Sequence, residues 1–285
     1  MANPALNEKT FAPERFRKVD PGAADRIFGG GRGRSDAGGP ITGEPGVTAP
    51  REAYTGEEAW RERMTLDGVV LRGLILFPIL LATGFLGWQS VQRTELGITM
   101  PGWLLPVLLL GFGVAIVTVF KPRISPYTAP AYAAIEGLVL GAISKLYEVQ
   151  YEGIVLQAVM LTGAVFAIML ALYSKRIVKV DDRLRRGIIA ATGAVMVVYL
   201  VSIVMRLFGA EVPFIHESSP VGILFSLVVV GIASANLLLD FDLIEKGVEN
   251  GAPKWMEWYA AFGLLVTLVW LYLELLRLLS KLRSR

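Results

Sequence analysis

From residue 66 onward the chain alternates long apolar runs with short polar or charged breaks. The seven runs are Leu66–Trp88, Trp103–Phe120, Thr128–Tyr147, Gly153–Tyr173, Gly187–Phe208, Pro220–Leu243 and Trp255–Leu279. Each is near the ~20 residues that a helix needs to cross a ~30 Å hydrocarbon core. Lipid offers no partners to backbone N–H and C=O groups, so segments of this kind must satisfy their own and are helical. The pattern predicts an all-α polytopic membrane protein with seven transmembrane helices. Small residues recur at helix-contact spacing, Gly137 with Gly141 and Gly231 with Ala235, where they let backbones approach closely in lipid. Trp88, Trp103, Trp255 and Trp258 fall at run ends, the place of interfacial aromatics.

Residues 1–65 read differently. Stretches such as Gly29-Gly30-Gly31-Arg32-Gly33-Arg34 and Gly38-Gly39-Pro40 show neither helical nor strand periodicity. Segments mixing Gly, Pro and charge bury too little surface to offset the entropy of ordering. The expectation is a disordered cytoplasmic tail over residues 1–65, followed by a transmembrane domain over residues 66–285. The tail has no early apolar core of a secretory signal. Its glycines do not form a phosphate loop, because no strand precedes them and no Gly-Lys-Ser/Thr follows.

Composition agrees with the membrane reading and narrows the chemistry. The chain of 285 residues is 54% hydrophobic, with a mean hydropathy of +0.53. Its net charge of +3 comes from basic residues placed between apolar runs. That placement argues against nucleic-acid binding, which needs a basic polar face. The chain has no cysteine and one histidine, His216, so thiol chemistry and a histidine-rich zinc site are excluded. No Walker, His-Glu-x-x-His or Gly-x-Ser-x-Gly motif occurs, and no histidine lies at membrane depth to activate a serine. The chain is not expected to be an enzyme and needs no cofactor.

Orientation follows from lysine and arginine in short loops. Lys121 and Arg123 follow the second run, Lys175 to Arg186 supply six basic residues after the fourth, and Lys246 and Lys254 follow the sixth. The alternate loops hold Arg93, Lys145 and Arg206. The richer set is expected in the cytoplasm, with the N-terminus inside. A seventh crossing then puts Arg277, Lys281, Arg283 and Arg285 outside, against the same rule. Either the earlier loops override them or the last segment does not cross fully.

Ionisable groups at membrane depth are costly and mark function by default. Asp240 and Asp242 lie near the cytoplasmic end of the sixth run, where a helix C-terminus disfavours acids. Residues two apart point to nearly opposite sides of a helix. Asp240 shares a face with Asn236 and Ile244 and is expected to be the buried carboxylate. Asp242 shares a face with Glu245 and is expected at the solvated surface. Glu136 enters the third run by eight residues or so, roughly 12 Å. Protonation removes a carboxylate's charge, so each buried acid is a proton-sensitive group and a source of oxygen ligands for a hard cation. Arg72, near the cytoplasmic end of the first run, reads either as the partner of Asp240 or as an arginine that snorkels to the interface. Glu274 and Arg277 share a face and are expected to pair. His216 and Glu217 read as plain loop.

Over several runs the residues resemble a known family. Ala134-Ile135-Glu136-Gly137-Leu138-Val139-Leu140-Gly141-Ala142-Ile143-Ser144 resembles the third-span signature of the Bax inhibitor-1 family, in particular its bacterial YccA-like branch. Gly153-Ile154-Val155-Leu156-Gln157-Ala158-Val159, the acids of the sixth run and the closing Leu275-Leu276-Arg277-Leu278-Leu279 are similar as well. The resemblance spans Thr65 to Lys281. It implies six helices around a central one, and a pH-sensitive calcium leak of the bacterial inner membrane gated by aspartates in the sixth and seventh spans. It also implies an alternative, a non-transporting regulator that binds a partner such as a membrane protease. Asp240 matches the sixth-span aspartate. Thr267 stands where the seventh-span aspartate would be, and the uncharged second run lacks the family's arginine, for which Arg72 is a substitute. The expected ion pathway therefore comprises Asp240, Glu136, Arg72, Asp242, Asn236 and Thr267. Asp240 and Glu136 are its cation ligands, calcium is the transported ion, and the lipid bilayer is the surrounding partner.

Overall fold

The computed structural model describes residues 63–94, 97–99, 101–208 and 219–284. Seven helices follow one another: α1 (Leu66–Ser90), α2 (Leu104–Phe120), α3 (Ser125–Gln150), α4 (Ile154–Ser174), α5 (Asp182–Leu207), α6 (Pro220–Glu249) and α7 (Met256–Arg283). A short antiparallel ribbon, β1 (Gln92–Thr94) with β2 (Gly97–Thr99), links α1 to α2. All seven expected helices are present. Six are long and apolar enough to cross a membrane, and α2 is a shorter apolar helix of 17 residues. At about 1.5 Å per residue α2 reaches only about 25 Å. Most others extend past their apolar runs; α6 continues to Glu249 and α7 to Arg283. The tail expected over residues 1–65 lies outside the described residues except for its last three, and so do His216 and Glu217.

Helix ends follow from local chemistry. Thr65 caps α1 by accepting from Gly68 N at 3.0 Å, and Ser219 caps α6 by accepting from Gly222 N at 3.2 Å, with Pro220 in the first turn. Such side chains satisfy backbone donors that a helix leaves orphaned. Gly251 (φ 66°) ends α6, with Ala252 N donating back to Gly247 O at 2.9 Å. A left-handed residue after the last turn is suited to glycine. Glu148, near the end of α3, accepts from Gly153 N at 2.6 Å and Val155 N at 3.1 Å and so caps the start of α4.

The core is built around α7. Tyr259, Phe262, Leu265, Leu271 and Leu276 are fully buried, and Tyr132 of α3 meets Phe262 edge-on with ring centroids 5.0 Å apart. Helix α7 packs on α1, α3, α4 and α6, whereas α2 leans mainly on α3 and α5 on α6. The outward faces are apolar too: Leu74, Leu81 and Phe85 of α1 and Val197 and Leu200 of α5 are exposed. An aqueous protein would not present such faces; a bilayer covers them.

The closest helix contact is α1 on α3. A Cβ added at Gly141 would stand 1.8 Å from Gly84 O, and one at Gly137 would stand 2.3 Å from Leu80 O. The expected small-residue contact at Gly137 and Gly141 is therefore present. The one expected at Gly231 is not, since nothing lies within 4 Å of its added Cβ. That face of α6 borders an open crevice against α5, lined by Gly187, Ala191, Gly231 and Ala235.

Candidate functional site

Asp240 is fully buried, with 0% exposure, in the half of α6 that follows its most apolar stretch. One turn earlier, Asn236 is buried as well. Its amide donates to Thr192 Oγ1 of α5 at 2.9 Å and to Ile232 O at 2.8 Å. Asn236 thus fastens α6 to α5. The expected shared face of Asn236 and Asp240 follows from their separation of one helical turn.

Asp242 corrects the sequence expectation. It is 7% exposed rather than solvated. Its Oδ2 accepts from Arg185 Nη2 of α5 at 2.6 Å and from Lys246 Nζ at 2.9 Å. The physical reason is the start of α5: it begins at Asp182, earlier than its apolar run, and carries Arg185 into contact with α6. Glu245 turns the other way, toward α4. It accepts from Tyr173 and, at 2.5 Å, from Arg176. These ion pairs bind the ends of α4, α5 and α6 at the same end of the bundle, close along the chain to Asp240.

Arg72 is also placed differently from the expectation. Its Nη2 lies 3.3 Å from Glu257 Oε2, and its guanidinium stacks over the Trp258 ring at 5.3 Å from the centroid. Glu257 is 1% exposed and accepts from both Thr65 N and Thr65 Oγ1 at 3.1 Å. Arg72 thus pairs with an acid in the first turn of α7. Glu257 was missed because an acid in a first helical turn is favourable on its own account. Its partner Arg72 was visible in the sequence, where it reads as a partner for Asp240.

Glu136 projects toward α2, where its Oε2 approaches the Gly111 position. Helix α3 packs on α1, α2, α4 and α7, and α6 is not among its main partners. Glu136 and Asp240 therefore sit on helices that do not pack closely on each other. Among the described residues no three acidic or histidine side chains converge to hold a metal ion. Thr267 of α7 is 3% exposed and gives its hydroxyl to Gly263 O at 3.3 Å.

The Glu274–Arg277 pair is present at 2.9 Å. Tyr199 of α5 donates to both oxygens of Glu274 and also accepts from Arg277. This couples α5 to α7 at the opposite end of the bundle from Asp242.

A seven-helix bundle with a buried sixth-helix aspartate is now joined by a direct comparison. Residues 3–284 match the family model described as Bax inhibitor 1 like. The chain belongs to that family. The match includes the N-terminal segment, which the motif resemblance left out. No match was found among curated proteins. Family membership and the helices together make this a multi-pass membrane protein of the Bax inhibitor 1 like family.

Proposed function

We propose that this family member is a proton-sensitive cation leak of the YccA-like branch, with calcium as the transported ion. In this reading it lies in a bacterial cytoplasmic membrane with its N-terminus inside and performs no catalysis. The observation that carries the proposal is the complete burial of Asp240 in an apolar helix, two residues from the Asp242–Arg185–Lys246 ion pairs. A carboxylate there supplies oxygen ligands and negative charge to a hard cation, and protonation removes the charge that makes the site attractive. Glu136 serves as a second carboxylate on the α2 side. Calcium flux of the purified protein in vesicles, followed against pH, tests this. Asp240→Asn is expected to abolish the pH response, and an unchanged flux and pH profile defeats the assignment.

A second reading, a non-transporting regulator that binds a membrane protease, is favoured by Thr267. That threonine cannot ionise, so the second aspartate that the resemblance expects has no counterpart at position 267. Removal of residues 1–60 separates the readings. A regulator that docks through this segment loses its partner in a pull-down, whereas a leak keeps its flux.

A further inference from the structure

At the end of the bundle away from Asp242, a cavity of about 880 Å³ opens between the start of α2 and the ends of α3 and α7. Its volume lies in the range of small-molecule sites. Lys281 and Arg277 line its α7 side, Tyr147 and Tyr151 its α3 side, and Leu105 and Leu108 its α2 side.

The charge on this cavity is not balanced internally. Lys281 is 4% exposed, and its ammonium donates to Gly222 O at 3.0 Å and Ser226 Oγ at 2.8 Å. Both acceptors are uncharged. Arg277 is neutralised by Glu274. Among the described residues no carboxylate forms an ion pair with Lys281, so the lining retains a positive charge. An ammonium has three donors, and the two bonds to α6 leave one.

The opposite wall is apolar and faces lipid. Leu105 is 64% exposed and Leu108 is 43% exposed. The tyrosines sit where interfacial aromatics sit. A cationic floor beside an apolar wall that opens sideways into a bilayer matches an amphiphile with an anionic head. Basic pockets between transmembrane helices on the cytoplasmic side hold lipid headgroups by this chemistry, and the pocket here offers an anionic head the same contacts at the other end of the bundle. A free anion would use the floor and leave the wall without a role.

We propose that this cavity binds an anionic phospholipid, with its phosphate at Lys281 and Arg277 and an acyl chain along Leu105 and Leu108. The bound lipid would tie α2, which packs mainly on α3, to α7.

Native mass spectrometry of the full chain in detergent tests this, with phosphatidylglycerol, phosphatidylcholine and inorganic phosphate as probes and thermal unfolding as a second readout. The wild type is expected to retain phosphatidylglycerol about fivefold over phosphatidylcholine, from one added charge contact. Lys281→Met is expected to remove that preference. Lys281 also holds α6, so Leu105→Trp is tested alongside; it fills the cavity from the lipid side without changing charge and is expected to lower retention and abolish the lipid-induced rise in Tm. Equal retention of the two lipids overturns the proposal, as does a preference that survives both variants. Stabilisation by inorganic phosphate equal to that by phosphatidylglycerol also overturns it, in favour of a soluble anion.

Discussion

Arg72 and Glu257 meet at 3.3 Å and join α1 to the first turn of α7. Glu257 is almost wholly buried, and Thr65 gives it two further hydrogen bonds. Next to them Met64 N donates to Ala252 O at 2.7 Å. The chain is therefore clamped to the α6–α7 connection at the point where it enters α1. Removing one partner of a buried pair leaves an uncompensated charge and costs about 3–5 kcal/mol. Glu257→Ala is expected to lose stability on that order in detergent unfolding. Glu257→Gln keeps the hydrogen-bond acceptor for Thr65 and should lose less. Equal stability of Glu257→Ala and the wild type would show that the clamp contributes nothing.

The glycines give an internal contrast. Gly141 sits against the Gly84 carbonyl, and a Cβ there would overlap backbone, which cannot turn aside as a side chain can. Gly141→Ala must separate α1 from α3, and overpacking costs about 1–3 kcal/mol or more. Gly231 faces open space. Gly231→Ala adds helix propensity of up to about 1 kcal/mol and is expected to be neutral or stabilising. Thermal unfolding of the two variants side by side checks both signs.

The ends of α4, α5 and α6 offer two ion pairs in different settings. Arg185 and Asp242 side chains are 15% and 10% exposed, whereas Arg176 is 65% exposed and Glu245 27%. Screening by water and salt weakens exposed pairs to about 0–1 kcal/mol. A double-mutant cycle with Arg185→Met and Asp242→Asn should give a coupling toward the upper part of the roughly 0.5–3 kcal/mol seen for contacting residues. The cycle with Arg176→Met and Glu245→Gln should be small and vanish at high salt. Reversal of that order would contradict the burial difference.

These pairs also show what the sequence could reveal. The helices were legible because a run of about 20 apolar residues admits one solution in lipid. Gly141 and the Glu274–Arg277 pair were legible because their spacings act within one helix or across a recurrent contact. Partners between helices were not legible. Arg72 could face Asp240 or Glu257 with equal electrostatic sense, and only the packing of α1 beside the start of α7 decides it. Asp242 read as a surface acid because one of its two cations, Arg185, comes from α5, 57 residues earlier in the chain. Glu136 looked like a companion of Asp240 by depth alone, yet α3 turns it toward Gly111 of α2.

The basic C-terminus poses a topological question that the same logic answers. Arg277, Lys281, Arg283 and Arg285 would ordinarily hold a segment in the cytoplasm. Helix α7 nevertheless runs from Met256 to Arg283 and is long and apolar enough to cross. Three of the four basic groups are held by other parts of the protein: Arg277 pairs with Glu274, Lys281 bonds Gly222 and Ser226, and Arg283, at the exposed surface, donates to Glu152 O at 2.5 Å. Charges already held by intramolecular partners lose much of their pull as topogenic residues. The two ends of α7 should therefore lie on opposite sides of the membrane. The absence of native cysteine makes the test direct. Single cysteines at Asn250 and Ser284 are treated in intact cells with a membrane-impermeant maleimide, and again after permeabilisation. Ser284→Cys should label in intact cells and Asn250→Cys only after permeabilisation. Labelling of both positions under the same condition would mean that α7 turns back without crossing.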